Sequence, residues 1–121
     1  MARYVDGFVL AVPKKNIEAY RRMSTKAGKV WREHGALEFY ECVADDVKPG
    51  KVTSFPQSVK LKRGETVFFS YIVYKSRKDR DRVNSKVMKD PRIQEQMGDF
   101  KDMPFDAKRM IYGGFKVFVD A

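Results

Sequence analysis

Asp6 is the side chain in this sequence with the strongest claim to acid or base chemistry. It interrupts an otherwise apolar run, Tyr4 to Val12. A carboxylate beside a core must be paired, hydrogen-bonded or protonated, and such perturbed groups cluster at functional sites. Arg109 or Lys108, on the last apolar run, is the expected partner, and a structural ion pair is the competing reading. Asn84, Tyr112, Arg109 and His34 join Asp6 as candidate ligand-binding groups. His34 is the single histidine, so a Ser-His-Asp triad would have to use it. Its place at the end of a helical stripe equally suits a capping or core histidine.

Other chemistry is thinly represented. Cys42 has no second thiol and no basic sequence neighbour to stabilise a thiolate, which points to a small hydrophobe. Glu41, Asp45 and Asp46 are acids without the spacing of a calcium loop and read as solvated. No His-x-x-x-His or Cys-x-x-Cys occurs, so neither a metal nor another cofactor is expected. Gly50-Lys51 lacks the upstream glycine of a phosphate loop, and Gly113-Gly114 does not open a helix. No catalytic residue is assigned.

The elements that must position these groups follow from periodicity. Tyr4 to Val12 reads as a strand ended by Pro13. Lys14 to Glu33 reads as a helix with the stripe Ile17, Tyr20, Ala27, Trp31 and His34, stopped by Gly35. A second strand spans Ala36 to Ala44. The connection Asp45 to Glu65 is long, with a turn at Lys48-Pro49-Gly50-Lys51 and a helical turn near Gln57 to Leu61. Thr66 to Tyr74 is the third strand. Ser76 with Asp79 caps a second helix that runs to about Lys89, with Val83, Val87 and Met88 inward and Asn84 among them, and Asp90-Pro91 ends or breaks it. A polar loop leads to Met103-Pro104-Phe105-Asp106, a stiff turn in which Phe105 plugs apolar surface and Asp106 caps. Lys108 to Val119 is the last strand.

This βαββαβ order predicts an α+β, ferredoxin-like fold: an antiparallel four-stranded sheet with two helices on one face. Yet both faces of the strands are apolar. Val67, Phe69, Tyr71 and Val73 lie on one side of the third strand, and Phe68, Ile72 and Tyr74 on the other. Two helices cover one side only. The uncovered side either meets a second copy, forming a dimeric α/β barrel, or presents aromatics to single-stranded RNA. Gly113 to Val119 resembles the RNA-recognition-motif signature, but it sits on the last strand rather than the third.

Composition bounds the rest. The 121 residues are expected to form one domain, 1–121, with 43% hydrophobic residues and a net charge of +9. That charge favours anionic partners non-specifically, and its doublets (Lys14-Lys15, Arg21-Arg22) are spread rather than blocked. With one cysteine, no signal-peptide pattern and no membrane-length apolar run, a cytoplasmic protein without membrane association is expected.

Several segments resemble the YbaA-like bacterial family of small proteins of unknown function. They are Tyr4-Val5-Asp6-Gly7-Phe8-Val9, Glu41-Cys42, Asp45-Asp46-Val47, Asp90-Pro91-Arg92, Met103-Pro104-Phe105-Asp106, and Lys108 through Phe115. The sequence departs from the family at Val43-Ala44, where an aromatic and a glycine are usual, and Phe118 to Ala121 extend past the usual end. The resemblance implies a dimeric α/β barrel related to small monooxygenases and similar ligand-holding domains, and it carries no functional residues. The expected function is therefore a homodimer holding a small organic ligand, either between sheet and helices or in the dimer barrel. The alternative is RNA binding through the basic surface and sheet aromatics.

Overall fold

The computed structural model describes residues 2–97 and 103–121. Part of the expected polar loop before Met103 lies outside those residues. The elements are β1 (Tyr4–Pro13), a 3₁₀ turn (Lys14–Asn16), α1 (Ile17–Glu33), β2 (Glu38–Val43), α2 (Phe55–Ser58), β3 (Glu65–Tyr74), α3 (Arg77–Lys89), α4 (Pro91–Met97), a second 3₁₀ turn (Ala107–Arg109) and β4 (Ile111–Lys116). The sheet order is β2-β3-β1-β4, antiparallel throughout. This is the ferredoxin-like arrangement that the element order predicts.

Two short helices were not expected as they occur. Asp90-Pro91 ends α3 and also starts α4: Arg92 N–H donates to Asp90 Oδ1 at 2.9 Å, with Pro91 at the first helical position. Ile93 of α4 is then buried against Val83 and Val87. In the long connection the helical turn lies over Phe55–Ser58 rather than Gln57 to Leu61. Ser54 caps it by accepting from Gln57 N–H at 3.3 Å, and Pro56 favours a start there.

Other boundaries shift for local reasons. Pro13 closes β1 opposite Glu65, at the ladder's last position, where the missing N–H breaks nothing. The last strand begins at Ile111, not Lys108, because Asp106 Oδ1 accepts from Lys108 N–H at 3.1 Å and winds residues 107–109 into a turn. Met88 is exposed rather than inward, whereas Val83 and Val87 are fully buried. Gly35 has φ +120° where α1 ends, a region that disfavours a side chain, and a Cβ there would stand 2.9 Å from Arg82 Nη2.

The register decides which side chains share a face. Tyr4, Asp6, Phe8, Leu10 and Val12 of β1 stand beside Phe68, Ser70, Ile72 and Tyr74 of β3, and this face packs on α1 and α3. Phe39, Glu41 and Val43 of β2 and Tyr112 of β4 share it. The opposite face carries Val9, Ala11, Val67, Phe69, Tyr71, Tyr40, Cys42, Ile111 and Phe115. It is not wholly uncovered. Val59, just past α2, is buried against Val9, Ala11 and Val67, and Phe55 sits edge-on to Phe69 at 6.1 Å. The long connection therefore roofs one end of that face, and the expectation that the chain itself covers only one side holds for the remainder. There Tyr40, Phe69, Ile111 and Phe115 stay exposed.

Candidate functional site

Between the helix-facing side of the sheet and helices α1 and α3 lies a cavity of about 640 Å³. Its walls include the rings of Phe8, Tyr20, Trp31, Phe39, Tyr74 and Phe105. Strand parity and the α1 stripe place all of those rings but Phe105, which comes from the turn before Ala107–Arg109. Tyr112, largely exposed, stacks on Phe8 at 6.1 Å and stands at the rim. A second hollow of about 860 Å³ runs along the other flank of α1 over β2 and shares Tyr20, Ser24, Phe39 and Glu41 with the first.

One end of the cavity is a polar network around Asp6. The residue is buried, with 8% exposure. Arg80 Nε lies 3.7 Å from Asp6 Oδ1, and Asn84 Nδ2 donates to Asp6 Oδ2 at 3.4 Å. Asn84 Oδ1 in turn accepts from Trp31 Nε1 at 3.0 Å and from the Tyr74 hydroxyl at 3.2 Å. Burial, and then the nearby Asp6 carboxylate, push the Tyr74 phenol up, so it stays protonated. Arg80 Nη2 also donates to the Tyr4 hydroxyl at 3.1 Å, with the guanidinium over the Tyr4 ring at 4.8 Å. The partner of Asp6 is thus Arg80 from α3, not Arg109 or Lys108. The arginine is reached through the helix that packs over β1, and the β4 residue opposite Asp6 is Gly114, which has no side chain to offer.

A second polar pair in the wall is Glu41 and Ser70, which face each other across the β2–β3 ladder. Glu41 lines the cavity and is half-buried, although its sequence reads as a solvated acid. Asp45 and Asp46 are exposed. Burial raises the Glu41 pKa, and the hydroxyls of Ser70, Tyr20 and Ser24 pull it back in part. The Tyr20 phenol is raised in turn by burial and by Glu41.

The expected site residues separate into two groups. Asp6, Asn84 and Tyr112 line this one cavity. His34 does not: its Nε2 lies 2.9 Å from Asp90 Oδ2, tying the end of α1 to the start of α4. Arg92 and His34 together hold the Asp90 carboxyl below the usual range. Arg109 is also elsewhere. It forms a bidentate pair with Glu65 at 2.9 and 2.6 Å, and it donates to the carbonyls of Val59 and Lys60. That pins the connection over the far face of the sheet. Cys42 is exposed on that face, not a buried hydrophobe, because its edge strand has no cover there. Sequence reasoning missed Arg80, Glu41 and Ser70 as cavity residues. The available signal was parity: Glu41 and Ser70 are polar where their strands turn toward the helices. Among the described residues, no group of three His, Cys, Asp or Glu could hold a metal ion, and no helix is long and apolar enough to cross a membrane.

Comparison with known proteins agrees with this architecture. The family described as "Protein of unknown function (DUF1428)" matches residues 3–107. "Uncharacterized protein YbaA" of Escherichia coli K12 is 52% identical over 118 residues, covering 98% of each chain. Among solved structures, a putative antibiotic biosynthesis monooxygenase from Nitrosomonas europaea superposes with a TM-score of 0.58 at 15% identity, covering 96% of this chain and 90% of that one. A dimeric ferredoxin-like protein from an uncultured marine organism superposes with a TM-score of 0.59 at 10% identity, covering both chains fully (100%). At such identities the two structures speak for the fold.

Proposed function

Since the chain belongs to the DUF1428 family, we propose that it is a cytoplasmic homodimer that holds a small organic molecule in the cavity between sheet and helices. The carrying observation is the cavity itself. At about 640 Å³ it is within the range of small-molecule sites, with aromatic side chains and a few polar groups in its walls. Asp6, Asn84 and Tyr112 are its ligand-facing candidates among the residues singled out from sequence, joined by Arg80, Glu41 and Ser70. His34 and Arg109 serve the frame around it. The lone cysteine, exposed and unpaired, suits a reducing compartment.

Dimerisation rests on the uncovered part of the sheet. Tyr40, Phe69, Ile111 and Phe115 form an apolar surface on one face, and a second copy related by twofold symmetry would present the same surface to it. The dimeric state of one ferredoxin-like neighbour favours this partner. Native mass spectrometry of freshly purified protein tests both halves. The expected result is a dimer with small-molecule mass adducts lost on collisional activation. A monomer at micromolar concentration refutes the dimer. A dimer that retains no small molecule, and whose melting temperature no aromatic fragment raises, refutes the ligand site. Retained RNA on a monomer would favour the nucleic-acid reading.

A further inference from the structure

The hollow of about 860 Å³ along α1 is apolar at one end and basic at the other. It follows the flank of the helix that overhangs the edge strand β2, and its lining runs from Ile17 to Glu33. At the apolar end Tyr20 packs edge-on against Phe68 at 4.9 Å, Ile17 packs with them, and Val43 pairs with Phe68 across the ladder. Val43 is 54% exposed there. At the basic end Phe39 lies under α1. A Cβ on Gly28 would stand 2.8 Å from that ring, so the glycine lets the ring rest against bare helix backbone. Lys29 and Arg32 follow on the same flank and line the hollow beside it.

The other charges in this lining are already met. Arg92 Nη2 lies 2.7 Å from Glu33 Oε2. The Ser70, Tyr20 and Ser24 hydroxyls act on the Glu41 carboxyl, and burial disfavours its charged form. Arg21, nearer the apolar end, pairs with Glu18 at 3.3 Å. Among the described residues, neither Lys29 nor Arg32 has an ion-pair partner. About 18 Å of helix separates Lys29 from Ile17.

We propose that this hollow binds a free carboxylic acid with a flexible apolar chain, its carboxylate at Lys29 and Arg32 and its chain running past Phe39 toward Phe68 and Val43. Charge-assisted bonds from the ammonium and guanidinium hold the head, and the chain covers apolar surface that water otherwise wets. A cationic ligand has no unpaired carboxylate to meet at the basic end. The site is distinct from the aromatic cavity, which Ile17, Lys29, Arg32 and Val43 do not line. It lies on the helix side of the sheet, away from the face proposed for dimerisation.

Calorimetric titration with decanoate, decanol and butyrate tests this at low ionic strength, where exposed charges are least screened. Wild type is expected to bind decanoate at least about tenfold more tightly than decanol, which lacks the charge, or butyrate, which lacks the chain. Lys29→Gln/Arg32→Gln should bring decanoate to within about twofold of decanol. Lys86→Gln/Lys89→Gln, the same charge loss at exposed positions of α3, should leave the preference intact. Val43→Asp should weaken decanoate and decanol alike, by about tenfold. Equal binding of decanoate and decanol to wild type overturns the inference. So does a preference that Lys29→Gln/Arg32→Gln spares, or that the α3 pair removes equally. Unchanged affinity in Val43→Asp puts the chain outside the hollow and overturns it as well. Binding to phosphatidylglycerol vesicles with none of free decanoate overturns it in favour of a membrane surface.

Discussion

Replacing Phe115 by alanine tests the reasoning about the uncovered sheet face most directly. Phe115 projects from β4 to the side away from the helices, over Gly113 and Gly7. A Cβ on those glycines would stand 3.6 and 3.9 Å from its ring. It is 64% exposed in the single chain. A phenylalanine exposes roughly 200 Å² when free, so covering that fraction at about 25 cal/mol per Å² is worth about 3 kcal/mol. Twofold symmetry presents the residue twice, so full coverage makes Phe115→Ala cost the dimer about 6 kcal/mol, or roughly four orders of magnitude in Kd. If the partner covers only half of the ring, about two orders remain. Sedimentation equilibrium over a concentration series reads this directly. Met88→Ala, which trims an exposed apolar residue on the helix side, should leave the dimer unchanged. An unaltered dissociation constant for Phe115→Ala would show that the face is not the interface.

Three further outcomes follow from the geometry. Because burial holds the Glu41 pKa above its ordinary 4.5, folding favours its protonated form, and ionisation subtracts stability as pH rises from that value through the folded pKa. Glu41→Leu should therefore melt closer to wild type in acid and higher than wild type at neutral pH, by calorimetry; a gap that shrinks as pH rises contradicts this. Gly114→Ala places a Cβ 2.5 Å from the Tyr4 hydroxyl and 2.7 Å from Arg80 Nη2, and should destabilise by about 1–3 kcal/mol in denaturant unfolding. Gly7→Ala, with only ordinary contact, should cost less, and equal losses would place the strain elsewhere. Arg109→Ala leaves the Glu65 carboxylate with only the Lys62 N–H as donor and frees the carbonyls of Val59 and Lys60. It should cost roughly 1–3 kcal/mol or more, with faster proteolysis between β2 and β3; unchanged protection would mean Arg109 does not hold that segment.

Local patterns determined most of the architecture. Alternating side chains in Tyr4 to Val12, the stripe on α1, the Ser76 cap and the stop at Gly35 each act over a few residues, where backbone geometry dictates the outcome. The element order that results admits few topologies, and the observed sheet is the expected one. Asp6, an acid interrupting an apolar strand, and Asn84, a polar residue on the inward stripe of α3, were also legible, and Tyr112 was named with them.

Tertiary pairing decided the remainder. Asp6 meets Arg80 rather than Arg109 because α3 packs over β1, while Gly114 faces Asp6 on β4. Glu41 and Ser70 become neighbours only through the β2–β3 register, and a slip of one residue would turn both to the opposite face. The packing of Val59 on Val9, Ala11 and Val67, held by Arg109, joins segments about fifty residues apart in the chain. Side-chain direction is a property of one residue and its neighbours, and the sequence carries it. Which groups converge on a common space depends on how distant segments align, and only the folded chain settles that.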